Sequence, residues 1–489
     1  MNNKLLIKGG ILLDPAQGYH SVSKDILIED GVFTKIEDSI QPTDDMRVID
    51  ATGCFVSPGF IDLHAHVCPA VFRDYLHADM IGVTTGTTTI VDAGSAGPAN
   101  IEAFIENGIK KSRTRVYSAM HYATTGLLAP PEADDPSKYD LQMGIDAYNK
   151  YSEYIVAVKA RASNSCVGQL GITSIKAGKD LARAIGVPLL VHIGHALPTI
   201  EDVLNLMDKG DIITHAFHGK DNNILDENGQ MKPETKAARE RGVIFDVGHG
   251  KDSLNFNTAR AAKALDFPPD TISTDLHNKS IYKPVYSLSE TMDKFLALGY
   301  SLEECVEKVT AKPAEVLSLE KLGKLKAGCL GDVTIFTVED GEYTFTDSNK
   351  NTMTGNKSIS VRYTVVGGQV EMDSEDQFHQ IFRAAKADRR KVGQYEFMMR
   401  KAMAWLEENK VFIQDDLLPP FINHFIMMLM RLEGGDKLPD MGGEVLEDIS
   451  EEALRVADGV LDIVSEFNPR PDNVERTLIA IHVQTALDN

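Results

Sequence analysis

Short stretches rich in β-branched and other apolar residues recur from residue 55 to residue 275, and segments of helical character separate several of them. The eight stretches are Phe55–Asp62, Thr87–Asp92, Val116–His121, Ile155–Lys159, Pro188–His192, Asp211–His215, Val243–Val247 and Thr271–Asp275. Strands that alternate with helices form parallel sheets with right-handed connections. Eight such units in about 220 residues predict an α/β fold of the (β/α)8 TIM-barrel type. A doubly wound open sheet is the alternative that strand counting leaves open.

The segments on either side of these stretches have a different pattern. Short runs in which apolar and polar residues alternate are separated by Gly-Gly and Asp-Gly turn signals. This pattern is typical of antiparallel strands. The runs are Leu5–Ile7, Ile26–Ile28, Val32–Ile36, Asp332–Phe336 and Ser360–Val370. We therefore predict a small β-sandwich domain built from residues 1–56 and 320–374, which flanks a barrel of residues 57–319.

Beyond residue 375 glycine becomes sparse, methionine becomes frequent, and apolar residues follow the 3.6-residue period of a helix. The helical patterns cover Phe397–Lys410, Pro419–Leu432, Glu451–Phe467 and Asn473–Leu487. They predict a separate all-α module over residues 380–489, and Glu375–Arg383 is predicted to be a linker.

Charge and cysteine content narrow the classes of partner. The 50 basic and 72 acidic residues give a net charge of −22, which disfavours nucleic acids and anionic membranes as partners. No apolar run approaches the ~20 residues that a membrane span needs. The 5 cysteines are scattered and include no Cys-x-x-Cys pair, which suits a reducing compartment. We expect a cytoplasmic protein that binds neither nucleic acid nor membranes.

Ionisable side chains occur where several of the predicted strands end. His64 and His66 follow the first strand, and the others are Lys159, His192, His215 and Asp275. Residues i and i+2 of a strand point to the same side, so both imidazoles of the His-x-His pair can reach one ion. A single histidine at a strand end is more often a structural residue. The coincidence of all six at strand ends predicts a shared site at the carboxyl-terminal mouth of the barrel.

Four further residues are candidates for substrate binding. Arg161 lies two residues beyond Lys159 and could bind a substrate carboxylate, with a salt bridge at the barrel rim as the alternative. His218, His249 and His277 follow the sixth, seventh and eighth strands and could polarise a carbonyl or support the metal ligands.

The segment Pro58–His66 resembles the strand-one signature of the amidohydrolase superfamily, and Val48–Val56, Ala311–Ala314 and Gly323–Gly328 resemble its flanking motifs. The resemblance implies two divalent metal ions, with Lys159 carboxylated by CO2 as the ligand they share. His64, His66 and Asp275 would hold one ion, and His192 and His215 the other. Nitrogen and oxygen ligands suit Zn2+, although manganese, iron and cobalt also fit. The bridging hydroxide would attack the substrate, and Asp275 would be the catalytic residue that transfers its proton.

The segments Val158–Ser163 and Thr214–Gly219 resemble a branch that includes dihydroorotase and deacetylases of N-acyl-D-amino acids and acylated 2-hydroxy acids. The function implied is hydrolysis of an acyl amide or ester of a small molecule. Alternatives are a purine or pyrimidine deaminase of the adenine deaminase type, a dihydroorotase-like cyclic amidohydrolase, and a regulatory protein whose barrel only binds. The intact set of predicted ligands counts against the last. We expect a homo-oligomer.

The all-α segment resembles a single PTS-regulation domain, which is phosphorylated on histidine by phosphocarrier proteins of the sugar phosphotransferase system. His424 with Arg431, seven residues later, matches the first half of that pattern, and His482 matches the second. The chain departs from the pattern at Asn489, where an arginine would be expected. The resemblance implies phosphorylation at His424 or His482.

Overall fold

The computed structural model describes residues 4–69, 71–439 and 449–488, so Asn489 lies outside the described residues. Its chain divides into two compact units, residues 1–372 and 373–489. No helix in the described ranges is both long enough and apolar enough to cross a membrane. All five cysteines are free thiols.

The first unit contains two sheets, and the strands of one come before and after those of the other in the chain. The amino-terminal strands are β1 (Lys4–Asp14), β2 (Tyr19–Glu29), β3 (Val32–Glu37), β4 (Met46–Asp50) and β5 (Phe55–Pro58). The barrel strands are β6 (Phe60–Ala65), β7 (Thr87–Asp92), β8 (Arg115–His121), β9 (Ile155–Ala162), β10 (Leu189–Ile193), β11 (Ile212–Thr214) and β12 (Ile244–Phe245). The last three are β13 (Val333–Thr346), β14 (Thr352–Val366) and β15 (Gln369–Asp373).

The barrel confirms the predicted (β/α)8 fold. Strands β6 to β12 pair in chain order, and every pair is parallel. The eighth predicted strand, Thr271–Asp275, is not a regular strand; it joins the ring through single bridges from Asp246 to Thr271 and from Ala65 to Leu276. Because these bridges connect the last strand segment to the first, the sheet is closed and the open-sheet alternative is excluded.

Helices follow the barrel strands and bury one face against them. Their bounds are α1 (Ala78–Ile81), α2 (Ile101–Asn107), α3 (Leu141–Tyr151), α4 (Asn164–Val167), α5 (Ile172–Ile185), α6 (Ile200–Leu206), α7 (Pro233–Arg241), α8 (Phe256–Ala264), α9 (Leu288–Ala297), α10 (Leu302–Val309) and α11 (Ala311–Val316). Capping boxes begin two of them: the side chains of Thr199 and Asp202 cap α6, and those of Ser301 and Glu304 cap α10. Such reciprocal caps satisfy backbone N–H groups that would otherwise lack partners.

The flanking strands form one continuous eight-stranded sheet in the order β15-β14-β13-β5-β1-β2-β3, with β4 paired to β1. Strand β5 joins the amino-terminal strands to β13, so segments from both sides of the barrel contribute to one β-structure. The predicted strand Phe55–Asp62 is accordingly two strands: β5 belongs to the flanking sheet and β6 to the barrel. The break falls at Gly59, where a Cβ atom would lie 2.1 Å from Oγ1 of Thr88.

The second unit is all-α, with helices α12 (Gln377–Ala384), α13 (Val392–Glu408), α14 (Leu418–Gly434), α15 (Glu451–Ser465) and α16 (Asn473–Asp488). The predicted linker Glu375–Arg383 is largely helix α12. It is helical because Phe378 and Phe382, one turn apart, are buried in the apolar core of this unit.

Candidate metal centre and active site

The six residues predicted as metal ligands all lie at the carboxyl-terminal mouth of the barrel. His64 is the penultimate residue of β6, and His66 is the first residue after this strand. Lys159 and His192 are in β9 and β10. His215 follows β11, and Asp275 lies in the segment that closes the ring. Parallel strands bring their carboxyl ends to one side, so residues from distant parts of the chain converge there.

Distances confirm that these side chains meet. Oδ1 of Asp275 lies 3.3 Å from Nε2 of His64 and 3.2 Å from Nε2 of His66. Nζ of Lys159 lies 3.3 Å from the same Nε2 of His64. Nε2 of His215 lies 3.9 Å from Oδ2 of Asp275. The ring centroids of His192 and His215 are 4.4 Å apart. The structure thus gathers all six residues into one cluster.

The donor atoms of this cluster fit a metal ion. His64, His66 and Asp275 each offer a ligand atom, and these atoms lie within 4.8 Å of one another. Nε2 of His215 is buried and has no hydrogen-bond partner among the described residues. A buried nitrogen without a partner is costly unless it binds a ligand. Several imidazoles around a carboxylate form a donor set typical of zinc and similar divalent metals.

A chain of hydrogen bonds fixes the tautomer of His64. The hydroxyl of Thr214 donates to Oδ2 of Asp246 at 2.7 Å, and it lies 2.9 Å from Nδ1 of His64. Because its proton is used on Asp246, the hydroxyl accepts from Nδ1–H of His64. The lone pair of this imidazole is therefore on Nε2, which faces the cluster.

A second chain of the same kind holds His66. The hydroxyl of Ser95 donates to Oδ2 of Asp92 at 2.9 Å and lies 2.9 Å from Nδ1 of His66. In His215, Nδ1–H donates to the carbonyl oxygen of Gly248 at 2.6 Å. All three rings thus carry their proton on Nδ1 and direct an unprotonated Nε2 inward, as metal binding requires.

Lys159 is 1% exposed, and burial lowers the pKa of its ammonium group to about 7. A substantial share of this side chain is therefore the neutral amine near neutral pH, and only the amine form can react with CO2. Gly94 packs against its aliphatic stem, with φ of +88°. A Cβ atom at that position would lie 2.4 Å from Cγ of Lys159, so only glycine leaves room for the lysine.

Two of the cluster residues have unusual backbone conformations. His215 has φ of +66° and Asp275 has φ of +49°, which lie in the left-handed region that non-glycine residues seldom adopt.

The Asp275 side chain is ionised in spite of its burial. Burial opposes ionisation of the carboxyl group, but neighbouring His64, His66 and His215 hold the pKa of Asp275 well below its usual range. Asp275 is therefore an ionised carboxylate at neutral pH.

The four candidates for substrate binding have different surroundings. Arg161 forms an ion pair with buried Glu132, Nη1 to Oε1 at 3.2 Å. His249 uses both ring nitrogens, since Nδ1 lies 3.0 Å from the Gly250 carbonyl oxygen and Nε2 accepts from Lys294 at 2.9 Å. His277 lies at the mouth, and its ring centroid is 6.1 Å from that of His66.

His218 is fully buried, and its surroundings define its tautomer. Its Nδ1 accepts from the backbone N–H of Lys220 at 3.1 Å, so the ring proton is on Nε2. Nε2 has no hydrogen-bond partner within the described part of the chain. Burial lowers the pKa of His218 to about 3, which keeps the ring neutral.

The structure adds residues that the sequence reading missed. Asp92 and His121 end predicted strands, so the rule that identified Lys159 and His192 could have identified them. Asp246 lies inside a predicted strand. Ser95 and Glu132 lie in loops, where no periodic pattern marks a residue as buried.

The helical unit contains a second polar cluster around Glu475. Arg431 donates to both carboxylate oxygens of Glu475, at 2.7 and 3.0 Å, and Nε2 of His424 lies 3.2 Å from the same carboxylate. The ring centroids of His424 and His482 are 5.3 Å apart. Nδ1 of His424 is buried without a hydrogen-bond partner among the residues described. The predicted phosphorylation candidates His424 and His482 are therefore neighbours, and His424 contacts the Glu475 carboxylate.

Comparisons with known proteins agree with this arrangement of the first unit. A profile described as the Amidohydrolase family matches residues 55–370. A deacetylase from Agrobacterium fabrum is 36% identical over 357 residues, which is 72% of this chain and 88% of that protein. A deacetylase from Enterococcus faecalis is 35% identical over 373 residues, 76% of this chain and 99% of that protein. A crystal structure described as an adenine deaminase is similar with a TM-score of 0.72 and 34% identity, over 76% of this chain and 99% of that one.

Proposed function

The chain belongs to the amidohydrolase family, and we propose that it cleaves the acyl group from a small N-acyl amino acid or an acylated 2-hydroxy acid. Hydrolysis of carbon–nitrogen bonds is the activity of the family. The observation that supports the proposal is the cluster of four imidazoles, Lys159 and Asp275 at the barrel mouth. The two deacetylases, similar over most of their length, support an acyl substrate.

The residues present fit the two divalent metal ions that are typical of the family. His64, His66 and Asp275 would hold one ion, His192 and His215 the other, and Lys159, after reaction with CO2, would be shared. Carboxylation converts a cation into an anion, which the long lysine side chain can present between two cations. When bound, the ions, for which we propose Zn2+, would lower the pKa of a water molecule and polarise the scissile carbonyl.

Asp275 is proposed to move the proton. As the water oxygen bonds to the acyl carbon, Asp275 accepts the water's proton and passes it to the leaving nitrogen or oxygen, so that the carbon–nitrogen or carbon–oxygen bond breaks. A depressed pKa keeps Asp275 in the carboxylate form that can accept a proton at neutral pH. His218, with an unpartnered Nε2–H, is proposed to donate to a substrate oxygen, as is His277 at the mouth. His249, whose nitrogens are both engaged, has the weakest support of these candidates.

A purine deaminase is the second candidate, because the similar crystal structure is described as an adenine deaminase. The two functions release different products. We would incubate the enzyme, reconstituted with Zn2+, with N-acetyl and N-formyl amino acids, O-acetyl 2-hydroxy acids, adenine and dihydroorotate, and measure carboxylic acid and ammonia. Release of acetate or formate from an acyl substrate is expected. Ammonia from adenine without any acid release would replace the deacetylase proposal by the deaminase.

For the helical unit, we propose regulation by phosphorylation of His424 or His482 by a phosphocarrier protein. A phosphohistidine carries about −2 charge and would repel the Glu475 carboxylate, while Arg431 is the adjacent cation that could change partners. Intact mass after incubation with a phosphocarrier protein and phosphoenolpyruvate tests this. Added phosphate should disappear in the double variant of His424→Ala and His482→Ala but remain in His379→Ala. Unchanged mass of the wild-type protein would indicate a structural unit.

A further inference from the structure

We propose that Glu132 is a positioning residue that, together with His121, holds the guanidinium of Arg161 at the barrel mouth, and that this arrangement selects substrates carrying a carboxylate. The inference rests on the proposed function, because it concerns the substrate of the same site. It assigns roles to two residues on the third barrel strand and its following loop, which the metal cluster does not use.

Arg161 has a direct geometric relation to the cluster. It follows Lys159 by two positions in β9, so the two side chains point to the same side of the strand. In the sheet register Arg161 pairs with His192 of β10. A cation is therefore fixed beside the reacting centre, on a strand and not on a loop.

The partner of Arg161 is anchored in the protein interior. The Glu132 side chain is 1% exposed, whereas the Arg161 side chain is 25% exposed, and Nη1 of the arginine lies 3.2 Å from Oε1 of the glutamate. Burial alone would raise the pKa of Glu132, but His121 and Arg161 hold it at about 2, so the buried group is a carboxylate. The arginine side chain is therefore partly accessible to a ligand, whereas its carboxylate partner is not.

His121, the last residue of the adjacent strand β8, approaches this carboxylate. The backbone N–H of Ala123 donates to Nδ1 of His121 at 2.9 Å, so the ring proton is on Nε2. Nε2 lies 3.7 Å from the same Oε1 of Glu132. Neither Nε2 nor the two Glu132 oxygens has a well-aligned hydrogen bond in the described ranges.

The arrangement explains why a carboxylate is the expected ligand. A guanidinium presents a planar fork of donors that matches a carboxylate with two parallel hydrogen bonds. A flexible arginine would lose conformational entropy when it binds a ligand. The ion pair with Glu132 orders the guanidinium before binding and so reduces this cost.

Steady-state kinetics with a matched substrate pair test the proposal. The pair is an N-acetyl amino acid that the enzyme hydrolyses and its carboxamide, which lacks the negative charge. For the acid, Glu132→Gln and Arg161→Met should each raise KM by about 10- to 100-fold, with a smaller change in kcat. For the carboxamide, KM should change little. The double variant should be no worse than Arg161→Met alone, because the two residues act as one unit.

Controls separate positioning from general damage. Glu201→Gln removes a glutamate that pairs with Lys232 at 2.7 Å outside the cluster, and it should leave both substrates unaffected. Metal content of every variant should equal that of the wild type. Equal losses for the acid and the carboxamide, or additive effects in the double variant, would overturn the positioning role.

A binding measurement decides the inference even without turnover. Titration calorimetry of Asp275→Asn protein with N-acetyl amino acids and their carboxamides should show preference for the acids, and Glu132→Gln in that background should remove it. Absence of any preference overturns the inference while leaving hydrolysis possible. Turnover of no acyl substrate, combined with a carboxylate preference that depends on Glu132, would instead reject the proposed hydrolysis and retain the binding role.

Discussion

Nζ of Lys159 lies 3.3 Å from Nε2 of His64, although 95 positions separate the two residues in the chain. The contact joins the first and fourth barrel strands at their carboxyl ends. It brings a buried lysine, whose pKa burial lowers to about 7, against an imidazole whose proton is held elsewhere by Thr214. The lysine is therefore part of the ligand cluster.

Asp275→Asn should remove most of the turnover and leave metal content nearly intact. Asparagine keeps an oxygen in place but cannot accept a proton, and loss of general base catalysis typically costs about 10²–10⁴-fold in kcat. Metal analysis by mass spectrometry and kcat measured on the same preparation check both parts. A variant with normal kinetics would contradict the assigned role.

Gly94→Ala should lower both activity and metal content. The new Cβ would lie 2.4 Å from Cγ of Lys159 and push the lysine away from His64. Gly210→Ala is the matched control, since Gly210 also has φ of +88° but has no atom within 4 Å of the added Cβ. Both variants should lose about 1 kcal/mol of stability from the backbone, measured by urea unfolding. Equal activity in the two would refute the steric account.

Thr214→Val should weaken metal binding about 10- to 100-fold, because the variant loses the acceptor that fixes the tautomer of His64. Retention of metal during titration with a chelator measures this. Thr235→Val removes another buried hydroxyl, which donates to the carbonyl oxygen of Ile224 at 3.2 Å away from the cluster. That control should keep wild-type affinity, and a similar loss in both variants would argue for a general packing effect.

His482 should make the helical unit less stable as the pH falls. Burial, with a contribution from His424, lowers its folded-state pKa from 6.5 to about 4. Its contribution is complete above pH 6.5 and declines as the unfolded chain takes up a proton between pH 6.5 and about 4. Because His482 is only partly buried and solvent screens its charge, we expect a loss of about 1 kcal/mol in the free energy of unfolding from pH 7 to pH 5, which His482→Gln reduces.

Fluorescence of Trp405 during urea unfolding measures this loss specifically, because it is the only tryptophan and packs against the core of the helical unit. His20→Gln, at an exposed histidine of the first unit, should behave as the wild type. The same pH dependence with and without His482 would show that another group is responsible.

The sequence predicted those parts of the fold that follow from local patterns. The first seven barrel strands were visible as apolar stretches, and the helices of the second unit as 3.6-residue periods. The sequence predictions were wrong where strand pairing or burial, which depend on distant residues, overrides the local sequence pattern. Phe55–Asp62 has the composition of one strand, but the close approach at Gly59 divides it between two sheets. Glu375–Arg383 contains many polar residues, and only the burial of Phe378 and Phe382 makes it a helix.

The candidate site divides in the same way. Order along the chain and position at strand ends were enough to predict His64, His66, Lys159, His192, His215 and Asp275 as neighbours, because a parallel barrel necessarily brings its strand ends together. Three contacts could be seen only in the tertiary structure. They are the hydroxyl of Thr214 between His64 and Asp246, the packing of Gly94 against Lys159, and the ion pair of Arg161 with Glu132. Those contacts join residues far apart in the chain. They depend on side-chain direction and packing, which the local periodicity of the sequence does not encode.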